Sequence, residues 1–206
     1  MEDSRARHEF KREKEMERKI LILTLAMFAL GGCGYNSVID ADEDVKASFA
    51  EVQNQYKRRA DLVPQLVKVV KGAKEFEQET LTAVVNARSK VGTMQVDSKT
   101  LDNPQALQKF EAAQGELGRA LSRLMMVSER YPDLKSTAAF RDLQSQLEGT
   151  ENRIAVARKR YIDSISVYNK IVLRFPTSIG ASLRGKSTRE TFQGDPANEK
   201  APDINF

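Results

Sequence analysis

The sequence predicts an all-α protein: an antiparallel bundle of three to four long helices that follows an N-terminal signal or membrane segment. Three long stretches carry apolar residues at helical spacing, turn residues separate them, and a short apolar run stands alone before them. The 206 residues are 40% apolar and 30% charged, which is typical of a helix-rich chain with room for one domain plus extensions.

The first predicted helix carries an apolar seam from Val45 to Ala73. Its members recur at a period of about 3.5 residues, which packs one helix face against other helices. Pro64 leaves this register unchanged, so we expect a kinked but continuous helix rather than a new one capped by Asp61. Gly72 weakens the helix without necessarily ending it, and the apolar rhythm continues less regularly to Val91. The seam residues are Val45, Phe49, Val52, Tyr56, Arg59, Val63, Leu66, Val70 and Ala73.

Two further helices follow a predicted loop over 92–102. Asn103 is the expected cap of the second helix, with Pro104 at its first position. Its seam contains one polar residue, Gln114, which we expect to fix the helix register. The third helix is predicted over about 136–175. The seams of these two helices are Leu107, Phe110, Gln114, Leu117, Leu121 and Leu124, and then Phe140, Leu143, Leu147, Thr150, Ile154, Ala157, Tyr161, Tyr168 and Phe175.

The N-terminal apolar run, Ile20 to Leu30, has the length of a signal-peptide core, about 7–15 residues, and is shorter than a membrane span of about 20. Basic residues precede it and acidic residues follow it, which directs the C-terminal side out of the cytoplasm. Leu30-Gly31-Gly32-Cys33 resembles the lipobox of bacterial lipoproteins. We therefore expect lipid attachment at Cys33. The alternative is an uncleaved single-pass anchor that extends to Val38. Met16 begins an ordinary short n-region, so we expect translation to start there.

The predicted parts of the chain differ in composition. The last is polar, contains Gly and Pro, and lacks a helical period, so we expect a flexible tail. Phe192 and the terminal Ile204-Asn205-Phe206 are apolar residues within it that could dock on the bundle or on a partner. The parts are a charged leader at 1–19, a lipoprotein signal core or membrane anchor at 20–33, the helical bundle at 34–176 and the tail at 177–206.

Composition argues against several classes of function. The net charge is only +4 and Trp is absent, so the electrostatic and stacking surfaces of a nucleic-acid-binding protein are not expected. If Cys33 is the first mature residue, the exported chain has no other Cys and no His, so disulfides and zinc, copper or haem sites are not expected either. No phosphate loop, nucleophile elbow or metal-ligand spacing nominates a catalytic, cofactor-binding or metal-binding residue.

One position on the first seam is charged. A lone buried charge is costly, so we expect Arg59 or Arg58 to pair with Glu151 of the third helix. Asn152 or Asn169 would then complete a polar layer inside the bundle. A buried pair of this kind sets helix register better than it stabilises the fold. The alternatives are plain surface charges and a ligand site.

Several motifs resemble those of the LemA family. The resemblance covers nearly all of the chain after Cys33, in order. It implies a bacterial envelope protein with an N-terminal membrane segment, a bundle of long helices and no assigned catalytic activity. The lipobox-like cysteine departs from the simple transmembrane helix of many relatives. The matching residues are Tyr35-Asn36, Arg58 to Val67, Arg130 to Leu134, Thr150 to Ile154, Ala157-Arg158, Tyr161, Tyr168-Asn169, Phe175-Pro176 and Ala201 to Phe206.

These observations predict a non-enzymatic protein of the cell envelope, anchored to membrane lipid by its N-terminus, with its bundle on the periplasmic side. We expect it to act as a scaffold or interaction protein for other envelope proteins. The alternative is a lipid- or glycan-binding module that uses the groove between helices. An enzyme is the third hypothesis, and it has no nominated residues.

Overall fold

The computed structural model describes residues 14–21, 35–73, 76–94 and 98–192. Cys33, most of the N-terminal apolar run and the C-terminal residues 193–206 lie outside these ranges, and so do the predictions made for them. Over the described residues the chain is a helical bundle without strands, which confirms the predicted fold class. None of the described helices is both long enough and apolar enough to cross a bilayer.

Within the described ranges, six α-helices follow a short helical segment at 14–21. Helix α1 runs unbroken through Pro64, as the seam predicted, but it ends before Gly72, where a turn leads to a separate helix. Asn103 caps α3 as predicted, because its Oδ1 accepts a hydrogen bond from the Ala106 amide at 3.1 Å. The helices are α1 Tyr35–Lys71, α2 Gln78–Thr93, α3 Pro104–Ser128, α4 Pro132–Ser136, α5 Ala138–Leu173 and α6 Thr177–Leu183, with a 3-10 helix Ser98–Asp102 before α3.

The contacts divide the chain into two compact units. Of the described residues, one unit contains those up to 43 together with 167–188, and the other contains those from 44 to 166 together with 189–192. The first unit therefore holds the beginning of α1, the end of α5 and all of α6. The second unit holds the rest of α1 and α5 together with α2, α3 and α4.

In the second unit, α2 and α3 are antiparallel. The Lys90 ammonium lies 2.6 Å from the Glu116 carboxylate, while the Arg130 guanidinium, just after α3, lies 2.5 Å from Glu77 just before α2. Helices α1 and α5 are also antiparallel. Phe49 contacts Tyr161, and Arg59, further along α1, contacts Glu151, which comes earlier in α5. The predicted seams meet in the core that results. Its buried members are Leu62, Val63, Leu66, Val67, Val70, Phe76, Leu81, Val84, Ala87, Leu117, Leu121, Leu124, Val127, Leu134, Phe140, Leu143 and Leu147.

An aromatic cluster extends the interior of this unit. Phe49 packs against Phe110 and Tyr161 with ring centroids 6.1 and 5.3 Å apart. Tyr161 is fully buried, and this burial raises the pKa of its hydroxyl above the ordinary value. Phe192 packs against the Tyr161 ring at 4.7 Å and is only 4% exposed. A residue from far along the chain thus fills part of the core.

The prediction of a flexible tail is wrong for the described residues 177–192. Residues 177–183 form α6, and Phe192 is buried in the second unit, which is one of the two dockings expected for it. Helix α6 could not be recognised from the sequence, because seven residues are too few to show a helical period. Phe175 also differs from the prediction: it was assigned to the buried seam of α5 but lies beyond the helix and is exposed.

The first unit has a small interior of its own. Its buried residues include Asp42, whose carboxylate accepts a hydrogen bond from the Lys186 ammonium at 3.1 Å. Helix α6 ends in a Schellman motif: Gly185 adopts a positive φ of 64°, and the amides of Gly185 and Lys186 bond to carbonyls of the last turn. This turn directs Lys186 towards α1. The buried apolar residues are Val38, Ala41, Tyr168, Val172 and Ala181.

Replacing Phe192 with Ala should lower the free energy of unfolding by about 3 kcal/mol, because removal of the ring leaves a cavity against Tyr161. Urea unfolding followed by circular dichroism measures this loss. Thr191→Ala is the matched control, since Thr191 is exposed, and it should change stability by less than about 0.5 kcal/mol. Equal, small effects of both substitutions would show that the segment does not contribute to the core.

Candidate functional site

A buried polar layer centred on Arg59 joins three helices of the second unit. Arg59 Nη1 donates to Glu151 Oε1 on α5 at 3.0 Å and to Oε2 at 3.3 Å. Arg59 Nη2 donates to the Gln114 backbone oxygen and to its Oε1, both at 2.8 Å. Four hydrogen bonds therefore connect one α1 side chain to α3 and α5.

The layer is asymmetric in its exposure to solvent. The Arg59 side chain is 4% exposed, whereas that of Glu151 is 47% exposed. The Tyr56 ring lies one turn earlier on α1, with its centroid 5.1 Å from the guanidinium carbon, a distance that allows cation–π attraction. The charge of Arg59 is thus balanced by a carboxylate that keeps part of its hydration, which reduces the desolvation cost of the pair.

A glycine on α3 provides the space for the guanidinium. A Cβ added at Gly118 would lie 3.3 Å from Arg59 Nη1, which is tighter than ordinary van der Waals contact. Since Arg59 is fixed by hydrogen bonds on both of its terminal nitrogens, it cannot move aside without losing them. A glycine in mid-helix costs about 1 kcal/mol relative to Ala. At Gly118 the absence of a side chain allows Arg59 to approach α3 closely.

An open groove of about 810 Å³ lies between α3 and α5 above this layer. Small residues on both helices line its floor, and charged residues of both signs line its rim. Arg59 is one of the lining residues, and its terminal nitrogens are already bonded to Glu151 and Gln114. The small residues include Ala112, Gly115, Gly118 and Ala155, and the charged residues include Glu111, Arg119, Arg158, Lys159 and Asp163.

A second arginine, Arg158, connects the groove to the docked C-terminal segment. Its Nη1 donates to the Tyr56 hydroxyl at 3.0 Å, and its Nη2 lies 3.5 Å from Glu111 Oε1. Its guanidinium carbon lies 4.5 Å from the centre of the Phe192 ring. Arg158 therefore contacts α1, α3 and the segment after α6. Sequence reasoning missed this role, because Arg158 stands in a basic run that is typical of a solvated helix face.

The structure brings together some of the residues expected in the polar layer. Arg59 and Glu151 meet, and the polar seam residue Gln114 joins them. Arg58 is exposed instead. Asn152 is exposed beside Glu151 on α5, and Asn169 belongs to the first unit. Neither of the two expected asparagines therefore joins Arg59 and Glu151 in the polar layer. Cys33, the expected lipid-attachment residue, lies outside the described residues.

The replacements Arg59→Ala and Glu151→Ala, separately and together, should show a coupling energy of about 1 kcal/mol or more, because either single change leaves its partner without its charge balance. Thermal or urea unfolding of the four proteins gives this energy. Arg123 and Glu79 form a matched control, since both are exposed and their atoms lie 3.4 Å apart, and their coupling should stay below about 0.5 kcal/mol. Additive losses at Arg59 and Glu151 would contradict the role of the pair.

Comparison with known proteins identifies relatives over most of the chain. The LemA family model matches residues 48–206. Magnetosome protein MamQ 2 of Paramagnetospirillum magneticum is 26% identical over 181 residues, a match that covers 80% of this chain and 66% of the relative. Protein LemA of Metamycoplasma hominis is 24% identical over 159 residues, covering 76% of this chain and 68% of the relative.

The chain therefore spans just under two thirds of the MamQ sequence that it matches. The family match includes Arg59, Gln114 and Glu151, and it extends from the first half of α1 to the end of the chain. Because this match covers well over half of the sequence, the chain belongs to the LemA family.

Proposed function

We propose that this protein is a membrane-anchored scaffold of the bacterial cell envelope, without catalytic activity, that presents the faces of its helical bundle to other envelope proteins on the periplasmic side. The anchor is a lipid on Cys33. Membership of the LemA family and the likeness to a LemA protein and to magnetosome proteins support a membrane-associated role.

One observation carries the scaffold role. The most deeply buried charge of the second unit, Arg59, lines the groove, but both of its terminal nitrogens donate to Gln114 and Glu151. Reactive chemistry requires polar groups that converge on an accessible point, and here they converge on each other. The groove remains as an open surface between two long helices, with the partly exposed Ile162 at its edge. Such a surface suits a helical or extended segment of a partner.

A binding module for lipid or glycan in the same groove is the second candidate. Three basic side chains, Arg119, Arg158 and Lys159, line the groove and could pair with an anionic group. Arg158 already contacts Tyr56 and Glu111, which lowers its availability for such a ligand. The scaffold role is therefore the stronger proposal.

A photo-crosslinking amino acid at Ile162, in the full chain within bacterial membranes, should give a discrete adduct with another envelope protein, because Ile162 borders the groove. The same amino acid at Val85 is the control, since Val85 is an exposed apolar residue on α2 that does not line the groove. Electrophoresis and mass spectrometry identify the adducts. Lipid or glycan adducts alone would favour the second candidate, and hydrolase or transferase activity of the purified protein would overturn both.

The replacement Cys33→Ser should move the chain from the membrane fraction to the soluble periplasmic fraction, because it removes the proposed site of acylation. Fractionation and mass spectrometry of the N-terminus measure the two effects. Ser37→Ala, four residues later, is the control and should stay with the membrane. A Cys33→Ser chain that remains wholly in the membrane fraction would favour an uncleaved single-pass anchor.

A further inference from the structure

Among the exposed large apolar side chains of the first unit, four lie close together in sequence near the end of that unit. We name Leu173, Phe175, Ile179 and Leu183 the α6 patch. Phe175 is 75% exposed and Leu183 is 84% exposed, so these residues do not belong to the interior of the unit. An exposed group of large apolar residues of this kind indicates a surface that binds a protein, a ligand or a membrane.

The structure holds the α6 patch in place through the rest of α6. Ala181 is buried, whereas Ile179 and Leu183, four residues apart, lie together on the opposite face of the helix. Thr177 Oγ1 donates to the Arg174 carbonyl at 2.6 Å and also to the Ile171 carbonyl, which ties the start of α6 to the end of α5. The Lys186–Asp42 ion pair ties the other end of α6 to α1. Helix α6, which carries Ile179 and Leu183, is therefore held by contacts at both of its ends.

The charge around the α6 patch is positive. Residues 167–188 contain four basic side chains and no acidic one. Lys170, Arg174 and Arg184 are exposed, Arg174 and Arg184 stand next to patch residues in the sequence, and Lys186 pairs with Asp42. The exposed acidic residues of α1 in this unit are Asp40 and Glu43. Apolar side chains flanked by Lys and Arg are the combination that binds the interface of an anionic bilayer.

The beginning of α1 indicates which surface the α6 patch faces. Helix α1 begins at Tyr35, two residues after Cys33, and two residues span at most about 7 Å. The beginning of α1 and the whole of α6 belong to the same compact unit. An anchor at Cys33, as in the proposed function on which this step rests, would therefore hold this unit at the bilayer interface.

We propose that the α6 patch docks on the surface of a bilayer that contains anionic phospholipid. Leu173, Phe175, Ile179 and Leu183 enter the interfacial region, and Arg174 and Arg184 lie at the level of the phosphate groups. The lipid anchor tethers the chain, and the α6 patch adds a second contact with the membrane.

The absence of Trp from the chain permits a direct test with single-Trp variants. Leu183→Trp and Ile179→Trp are placed in the full chain, which is reconstituted into vesicles of phosphatidylcholine and phosphatidylglycerol with brominated acyl chains. We expect a blue-shifted emission and a loss of intensity relative to vesicles with unbrominated chains. Met126→Trp is the control, since Met126 is an exposed apolar residue of the second unit, and it should show neither effect. Adding Arg174→Glu and Arg184→Glu to Leu183→Trp should weaken the quenching.

Flotation of the same vesicles separates the possible failures. A chain that floats with the vesicles while Trp at 179 and 183 remains unquenched overturns the docking and leaves the anchor intact. A blue shift without quenching also overturns it, because the α6 patch would then be covered by a second copy or by another protein. Quenching at 126 as strong as at 183 overturns the assignment to this surface. Failure of the unsubstituted chain to float overturns the anchor and the docking together.

Discussion

A positive charge in the interior of a helical bundle has to be balanced locally, and the packing of the second unit depends on how Arg59 is balanced. Its guanidinium reaches α3 through Gln114 and α5 through Glu151, so one side chain relates three helices along their axes. A slip of one helix turn would separate these groups by about 5 Å and leave the charge unpaired. Apolar seams tolerate such slips more readily, because one aliphatic residue can replace another. The polar layer therefore supplies specificity, and the seams around it supply most of the burial.

The interior of the bundle was predictable to the extent that it follows helical periodicity. The seam of α1 up to Val70, the seam of α3 and most of the seam of α5 are buried, whereas Ala73 lies after α1 and is half-buried. Arg59 stood out in the sequence because it interrupts an apolar pattern. Glu151 was predicted as its partner from its position at the edge of another seam. The prediction that Asn152 joins the layer was wrong. Successive residues on a helix point about 100° apart, so only one of Glu151 and Asn152 can face Arg59. Gln114 was expected to set register, and in the structure its Oε1 accepts a hydrogen bond from Arg59.

The less predictable contacts join residues that lack any periodic context. Arg189 pairs with Asp102 at 2.9 Å, and Phe192 packs on Tyr161, yet both residues stand in a polar stretch rich in glycine. Nothing in the local sequence distinguishes a docked extended segment from a mobile one. The end of the first helix posed a similar problem, because the apolar rhythm continues past Gly72 although the backbone turns there. In both cases tertiary contacts decided the outcome.

The docking of Phe192 also has a consequence for the order in which the chain acquires its structure. Phe192, which packs on Tyr161, follows all six helices along the chain, whereas Phe49, which packs against the same ring, lies in α1. A ribosome has made all six helices before it reaches the residue that completes this aromatic cluster. Helices can form earlier, since they depend on local contacts, but this part of the core cannot close until Phe192 has been made. A nascent chain consequently carries an uncovered tyrosine face until Phe192 emerges.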